Sequence, residues 1–200
     1  MDMQSTLSAA NKPENPTKLA IMAAGEKALL SQGYKAMSFR DLAAEVGIKS
    51  ASVHYHFPTK SDLVLAVLKR YRADFTEHLV LPKKKRQAAQ KALNSFIDGF
   101  RKRVIDNGTL SLCTVLAAEK SLLEQQVLDE IEAFYEIKVD WLATVVSYMK
   151  KGWMPTDETR HYAYQILASL HGASVLVQAS GAPERFEDAM APWRTLVERF

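Results

Sequence analysis

The 200-residue chain has a single cysteine, Cys113, so no internal disulfide framework can staple it, which agrees with a reducing compartment. No apolar run approaches the roughly 20 residues that a membrane-spanning helix needs. The polar start MDMQSTLSAANKPENP lacks the charged-then-apolar plan of a signal peptide, so the expected location is the cytoplasm, away from any membrane. Glycine-rich phosphate loops, internal repeats, low-complexity tracts and strand-like alternation are all missing. His54 and His56 are two apart and point to different faces of a helix, so they chelate a metal poorly, unlike a pair at i, i+4. Cys113 and His171 could be imagined as thiol and base, but they fall on different helical segments with no neighbouring motif. The chain reads as no enzyme, with no cofactor and no metal.

What is present is an ordinary globular composition, 48% hydrophobic and 24% charged, with an uneven charge distribution. Residues 1 to 86 hold 14 Lys and Arg against 8 Asp and Glu, a net +6, whereas residues 87 to 200 hold 12 against 15, a net −3. The first part is the nucleic-acid half by charge.

The informative stretch inside it is Ser38 to Lys60, SFRDLAAEVGIKSASVHYHFPTK. Ser38 is an N-cap that Asp41, three residues on, can answer in a capping box. Leu42, Ala43 and Val46 give the helix one apolar face. Gly47 ends it, because glycine takes positive φ without a steric cost. A second short helix runs from about Lys49 or Ser50 to His56 and stops by Phe57, since Pro58 disfavours the α region before it. Ala43, Gly47 and Val53 are then the small, turning and pinning positions of a helix-turn-helix. Lys49, Ser50, Ser52 and Tyr55 lie off the Val53 side, a surface that suits a major groove roughly 12 Å wide.

The run SVHYHFPTKSDL after the Gly47 turn resembles the DNA-binding domain of TetR-type transcriptional regulators, with close resemblance from about Thr17 to His78. The resemblance implies that Arg40, Lys49, Ser50, Ala51 and Ser52 face base edges, and that Ser38, Tyr55, His56 and Lys60 hold phosphates. His54 departs from the pattern, in which a tyrosine is commoner, so as a member of the DNA-binding set its backbone contact is either lost or pH-sensitive.

Beyond it the periodicity is helical throughout, giving an all-α expectation of about nine helices. Residues 1–16 read as a flexible arm with Pro13 and Pro16. Residues 17–78 read as the helix-turn-helix domain, and 79–200 as a C-terminal ligand-binding and dimerisation domain. The helix capped by Thr59 and Asp62 runs to about Leu79 and links the two. The basic run Lys83 to Arg86 reads as a solvated helix start. Later segments are expected over about Ala92 to Asn107, Thr109 to Ala118, Leu122 to Met149, Asp157 to Ala179 and Pro183 to Phe200. A homodimer on a palindromic double-stranded operator is expected, because one reading helix touches too few bases. Small and apolar positions at Ala168, Gly172, Ala173, Val175, Ala189, Trp193, Leu196 and Val197 are its candidate interface. TetR-like proteins usually hold an effector between their C-terminal helices. The candidate lining here is Phe96, Phe100, Cys113, Leu116, Glu119, Phe134, Tyr135, Trp141, Tyr164 and His171, for an effector whose identity the residues do not give. The expected function is a repressor released by that effector. The alternatives are a redox response through Cys113 and a helical interaction protein that binds no DNA.

Overall fold

The computed structural model describes residues 15–199, with side chains through Thr195; the expected arm falls almost wholly outside them. Nine α-helices follow in order among the described residues: α1 Pro16–Ala36, α2 Phe39–Val46, α3 Ser50–His56, α4 Lys60–His78, α5 Arg86–Arg101, α6 Leu112–Ala118, α7 Gln125–Met149, α8 Asp157–Ser180 and α9 Glu184–Arg199. A π-helical turn, Lys102–Asp106, continues α5, and a 3-10 turn, Lys120–Leu122, precedes α7.

The helix starts follow from side chains that satisfy orphan amides. Asn15 accepts from the Thr17 amide at 2.9 Å, with Pro16 opening α1. Thr59 and Asp62 form a full capping box for α4. Ser111 accepts from Thr114 N, which is why α6 begins at Leu112 and not at the expected Thr109. Likewise α7 begins at Gln125, later than Leu122, because Lys120–Leu122 close as a tighter turn. At Ser38 the expected box is half made. The hydroxyl accepts from the Asp41 amide at 3.2 Å, but Asp41 answers the hydroxyl itself at 2.6 Å in place of the backbone N–H.

Two apolar clusters hold the helices together. One joins α5, α7, α8 and α9 through residues such as Leu93, Ile97, Leu142, Val146, Leu170 and Phe186. The other holds α1 to α4 around Ile21, Leu29, Leu42, Val53, Leu63 and Leu68, and it extends into α6 and the first half of α7 through Leu112, Leu116, Val127 and Phe134. The first four helices therefore share one core with part of the chain beyond residue 78. The fourth helix is the bridge: Leu63, Val64, Val67 and Leu68 are at most 1% exposed in the N-terminal core. Further along, Arg72 meets the buried Glu130 of α7 at 2.5 Å.

Candidate nucleic-acid interface

Helices α2 and α3 are joined by a left-handed Gly47, φ 75° and ψ 33°, with the Ile48 amide returning to Ala43 O at 2.9 Å. Ala43 and Val53 are 3% and 0% exposed, so the small and pinning positions face inward. The opposite edge of α3 faces solvent. Lys49, Ser50, Ala51 and His54 are exposed, Ser52 and His56 are partly so, and Tyr55 is 84% exposed. Arg40 on α2 stands beside them with its side chain 90% exposed, 3.7 Å from Asp41.

Three of the expected contacts carry ties of their own. Ser38 is engaged as the α2 cap. His54 packs edge-on against Phe39 with ring centroids 4.9 Å apart. Lys60 donates to Lys35 O at 3.2 Å and lies 4.4 Å from the Tyr34 ring centroid. Partial burial lowers the Lys60 pKa, against the pull of Glu119. His54 and Lys60 thus brace the reader from within, a role that spacing in one helix does not reveal because their partners lie on α2 and α1.

Outside this geometry stand the comparisons with known proteins. Residues 21–67 match the model of the bacterial regulatory proteins of the tetR family. These residues form a TetR-type DNA-binding domain. A TetR-family regulator from Agrobacterium tumefaciens superposes with a TM-score of 0.80 at 27% identity, covering 92% of this chain and 97% of that one. The TetR regulator from Legionella pneumophila gives 0.79 at 23% identity, covering 94% and 98%. The HTH-type transcriptional regulator CymR of Pseudomonas putida is 24% identical over 174 residues, 86% of this chain and 84% of CymR. With this domain and these likenesses the protein is a TetR-like DNA-binding transcriptional regulator; regulators of the TetR family bind operators and act as dimers. Among the described residues no helix is long and apolar enough to cross a membrane, and no cluster of His, Cys, Asp and Glu could hold a metal.

In the C-terminal part of the chain, six of the ten expected pocket residues belong to one chain of ring contacts. Phe96 stacks on Trp141 at 5.1 Å and meets Phe100 at 5.4 Å. Phe100 and Tyr135 both meet His171, at 5.2 and 5.4 Å. Phe134 joins through Phe75 of α4, which lies 6.3 Å from Phe96. A cavity of about 630 Å³ opens beside this cluster, with Tyr71, Asp74, Phe75 and His78 of α4 on one wall and Phe96, Arg103 and Trp141 on the other. Tyr71, Phe75 and Arg103 of this lining lie outside the expected set, as does Lys138, which meets the rings of Phe75, Phe134 and Tyr135. By spacing, Tyr71 and Phe75 continue the apolar side of α4.

The other four expected residues lie elsewhere. Leu116 and Cys113 are fully buried in the core shared with α1 to α4. Burial also pushes the Cys113 thiol up to about 11, so it is an inert core thiol and a poor redox switch. Tyr164 is 46% exposed and donates to Glu136 at 2.9 Å, outside the cluster. Glu119 turns away from the cavity. Its carboxylate accepts from the backbone amides of Tyr34 and Lys35, the latter at 3.1 Å, beside Gly33 at φ 80° and ψ 178°.

Of the candidate interface, Ala168, Gly172 and Val175 are exposed along α8, in line with Tyr164 and Leu176. Ala173 is 1% exposed and belongs to the subunit's own core, because it sits on the face of α8 turned inward. Ala189 and Trp193 are partly buried, and Trp193 Nε1 donates to Ser169 Oγ at 2.9 Å, an internal α8 to α9 contact. Leu196 and Val197 lie outside the residues with described side chains.

Proposed function

We propose that the protein is a homodimeric repressor whose residues 17–78 read a palindromic operator and whose residues 79–200 dimerise and bind a small-molecule effector that releases it. The observation that carries this reading is α4. It starts at Lys60 beside the reader and ends with Tyr71, Asp74, Phe75 and His78 in the cavity wall, so one rigid element touches both sites. In this reading Arg40, Lys49, Ser50, Ala51 and Ser52 meet base edges, while Ser38, His54, Tyr55, His56 and Lys60 meet or support phosphate contacts. The exposed stripe on α8, Ala168, Gly172 and Val175, packs against its counterpart, setting the half-sites about 34 Å apart. An effector that binds a state with mismatched heads more tightly than the matched state then lowers operator affinity.

The test is selection of bound genomic fragments by the purified protein, followed by a salt titration on the selected operator. A steep loss of affinity with salt, in proportion to phosphate contacts, is expected. Salt-insensitive or absent binding favours the rival in which the helix-turn-helix serves protein contacts alone.

A further inference from the structure

Lys138 of α7 is 2% exposed, yet no carboxylate pairs with it among the described residues. Its ammonium is enclosed by rings, 3.8 Å from the centroid of Phe134, 5.2 Å from Tyr135 and 5.3 Å from Phe75. The buried acid of the same helix, Glu130, is already taken by Arg72. Ring faces offset only part of what a buried cation loses in leaving water, so this position favours an anion that the chain does not supply.

A second cation stands nearby. Arg103 lines the cavity with its guanidinium 5.5 Å from the Tyr71 ring centroid and no ion pair among the described residues. A third polar group shares the Tyr135 ring with Lys138: His171 is bonded through Nδ1 to Thr114 at 2.7 Å, while its buried Nε2 has no partner among the described residues. Burial, aided by the charge of Lys138, holds His171 neutral down to about pH 4, and burial lowers Lys138 to about 8 with a contribution from Arg103. The acids of the cavity, Glu26 and Asp74, come from α1 and α4, so an incoming anion is directed towards the α7 side.

We propose that this cavity binds a small apolar organic acid whose body lies against Phe75, Phe96 and Trp141 and whose carboxylate is held by Arg103 and Lys138. The space of about 630 Å³ accommodates a ligand of that size. Lys138 does not itself line the cavity: Phe75, which does, has its ring 5.3 Å from the Lys138 ammonium and meets Phe96 edge-on at 6.3 Å, so the carboxylate reaches Lys138 when the Phe75 side chain swings aside. The inference rests on the effector reading above and names the chemical class of the effector.

The test uses the full chain and matched probes: benzoate, phenylacetate and octanoate against benzamide, phenylacetamide and octanamide, followed by thermal shift, calorimetry and operator binding. The acids are expected to raise Tm and the amides not to. Lys138→Met should abolish the acid response and raise the Tm of the ligand-free protein, because it removes an unpaired buried charge. Arg103→Gln, at the cavity wall, should weaken acid binding about tenfold or more, and it carries the test if Lys138→Met does not fold. Equal responses to acids and amides, no response to any acid, or an acid response unaffected by either substitution overturns the proposal. Amides that bind and release the operator while acids do not would leave the effector reading standing and remove the anion. Acids that bind through Lys138 without changing operator affinity would do the reverse.

Discussion

Glu119 joins the end of α6 to α1 through backbone amides, and a double-mutant cycle with Gly33 measures that joint. The carboxylate accepts from Tyr34 and Lys35 at the break in α1, which is created by Gly33 at φ 80° and ψ 178°. That region of backbone space is essentially restricted to glycine, so Gly33→Ala costs about 1–3 kcal/mol from the backbone alone. The added Cβ would also fall 2.7 Å from Glu119 Oε2, forcing the carboxylate off its amides. Charge-assisted hydrogen bonds contribute about 1.5–3 kcal/mol, but the partly exposed amides recover water, so Glu119→Ala is expected to cost about 2 kcal/mol for the pair. For a chain of this size that is about 4–8 °C in Tm. The clamp can be lost only once, so the double variant should fall short of additivity by more than 1 kcal/mol in urea or thermal unfolding. If Glu119→Ala moves Tm by less than about 1 °C, or the two effects add within about 0.5 kcal/mol, the clamp contributes nothing and the argument fails.

His171 titrates near 4 when folded and near its ordinary 6.5 when unfolded, so the unfolded chain binds the extra proton between those values. Stability is therefore fully present above about pH 6.5 and is lost as pH falls towards 4. The loss is on the order of 2–3 kcal/mol, and His171→Asn should flatten that part of a Tm-against-pH curve. Cys113 in the native protein should react with a thiol reagent at least about a hundredfold more slowly than in the unfolded chain; comparable rates would mean that the core around it opens readily. Tyr55→Phe should weaken binding to all DNA sequences alike, whereas Ser52→Ala or Arg40→Ala should alter preference among operators; the reverse pattern in a binding selection would overturn these roles.

The reader was legible in the sequence because its signals are local. Ser38, Gly47, Pro58 and Thr59 each mark an element end through a neighbour within a few residues, and the observed bounds of α2, α3 and α4 follow them closely. The regulatory part was legible as helices but not as a site. An inward acid at Glu119 invites a ligand on spacing alone, yet its partners, Tyr34 and Lys35, lie more than 80 residues earlier in the chain. Lys138 escaped notice for the opposite reason. It shares a face of α7 with Phe134 and Trp141, at spacings of four and three, but a lysine at such a position reads as solvated unless the packing around it is known. Ala173 failed at the same level, because small-residue spacing on α8 does not say which of its two faces meets the chain's own core.

The proposed release mechanism has a definite mechanical requirement. From Leu63 to Leu68, α4 is embedded in the reader core, so that half moves only with the reader. At Arg72 it is tied to Glu130 on α7, and from Tyr71 to His78 it forms a cavity wall. A ligand that displaces Phe75 therefore acts on a rod held at its middle by an ion pair, and the reader at the other end must turn with it. A hundredfold loss of operator affinity requires the ligand to prefer the turned state by about 2.7 kcal/mol. One charge-assisted hydrogen bond made only in that state would be enough. Breaking the pivot with Arg72→Gln should therefore uncouple the two ends: ligand binding survives, and its effect on operator affinity shrinks towards nothing. A ligand response of full size in Arg72→Gln would show that the motion passes instead through α6 and Glu119.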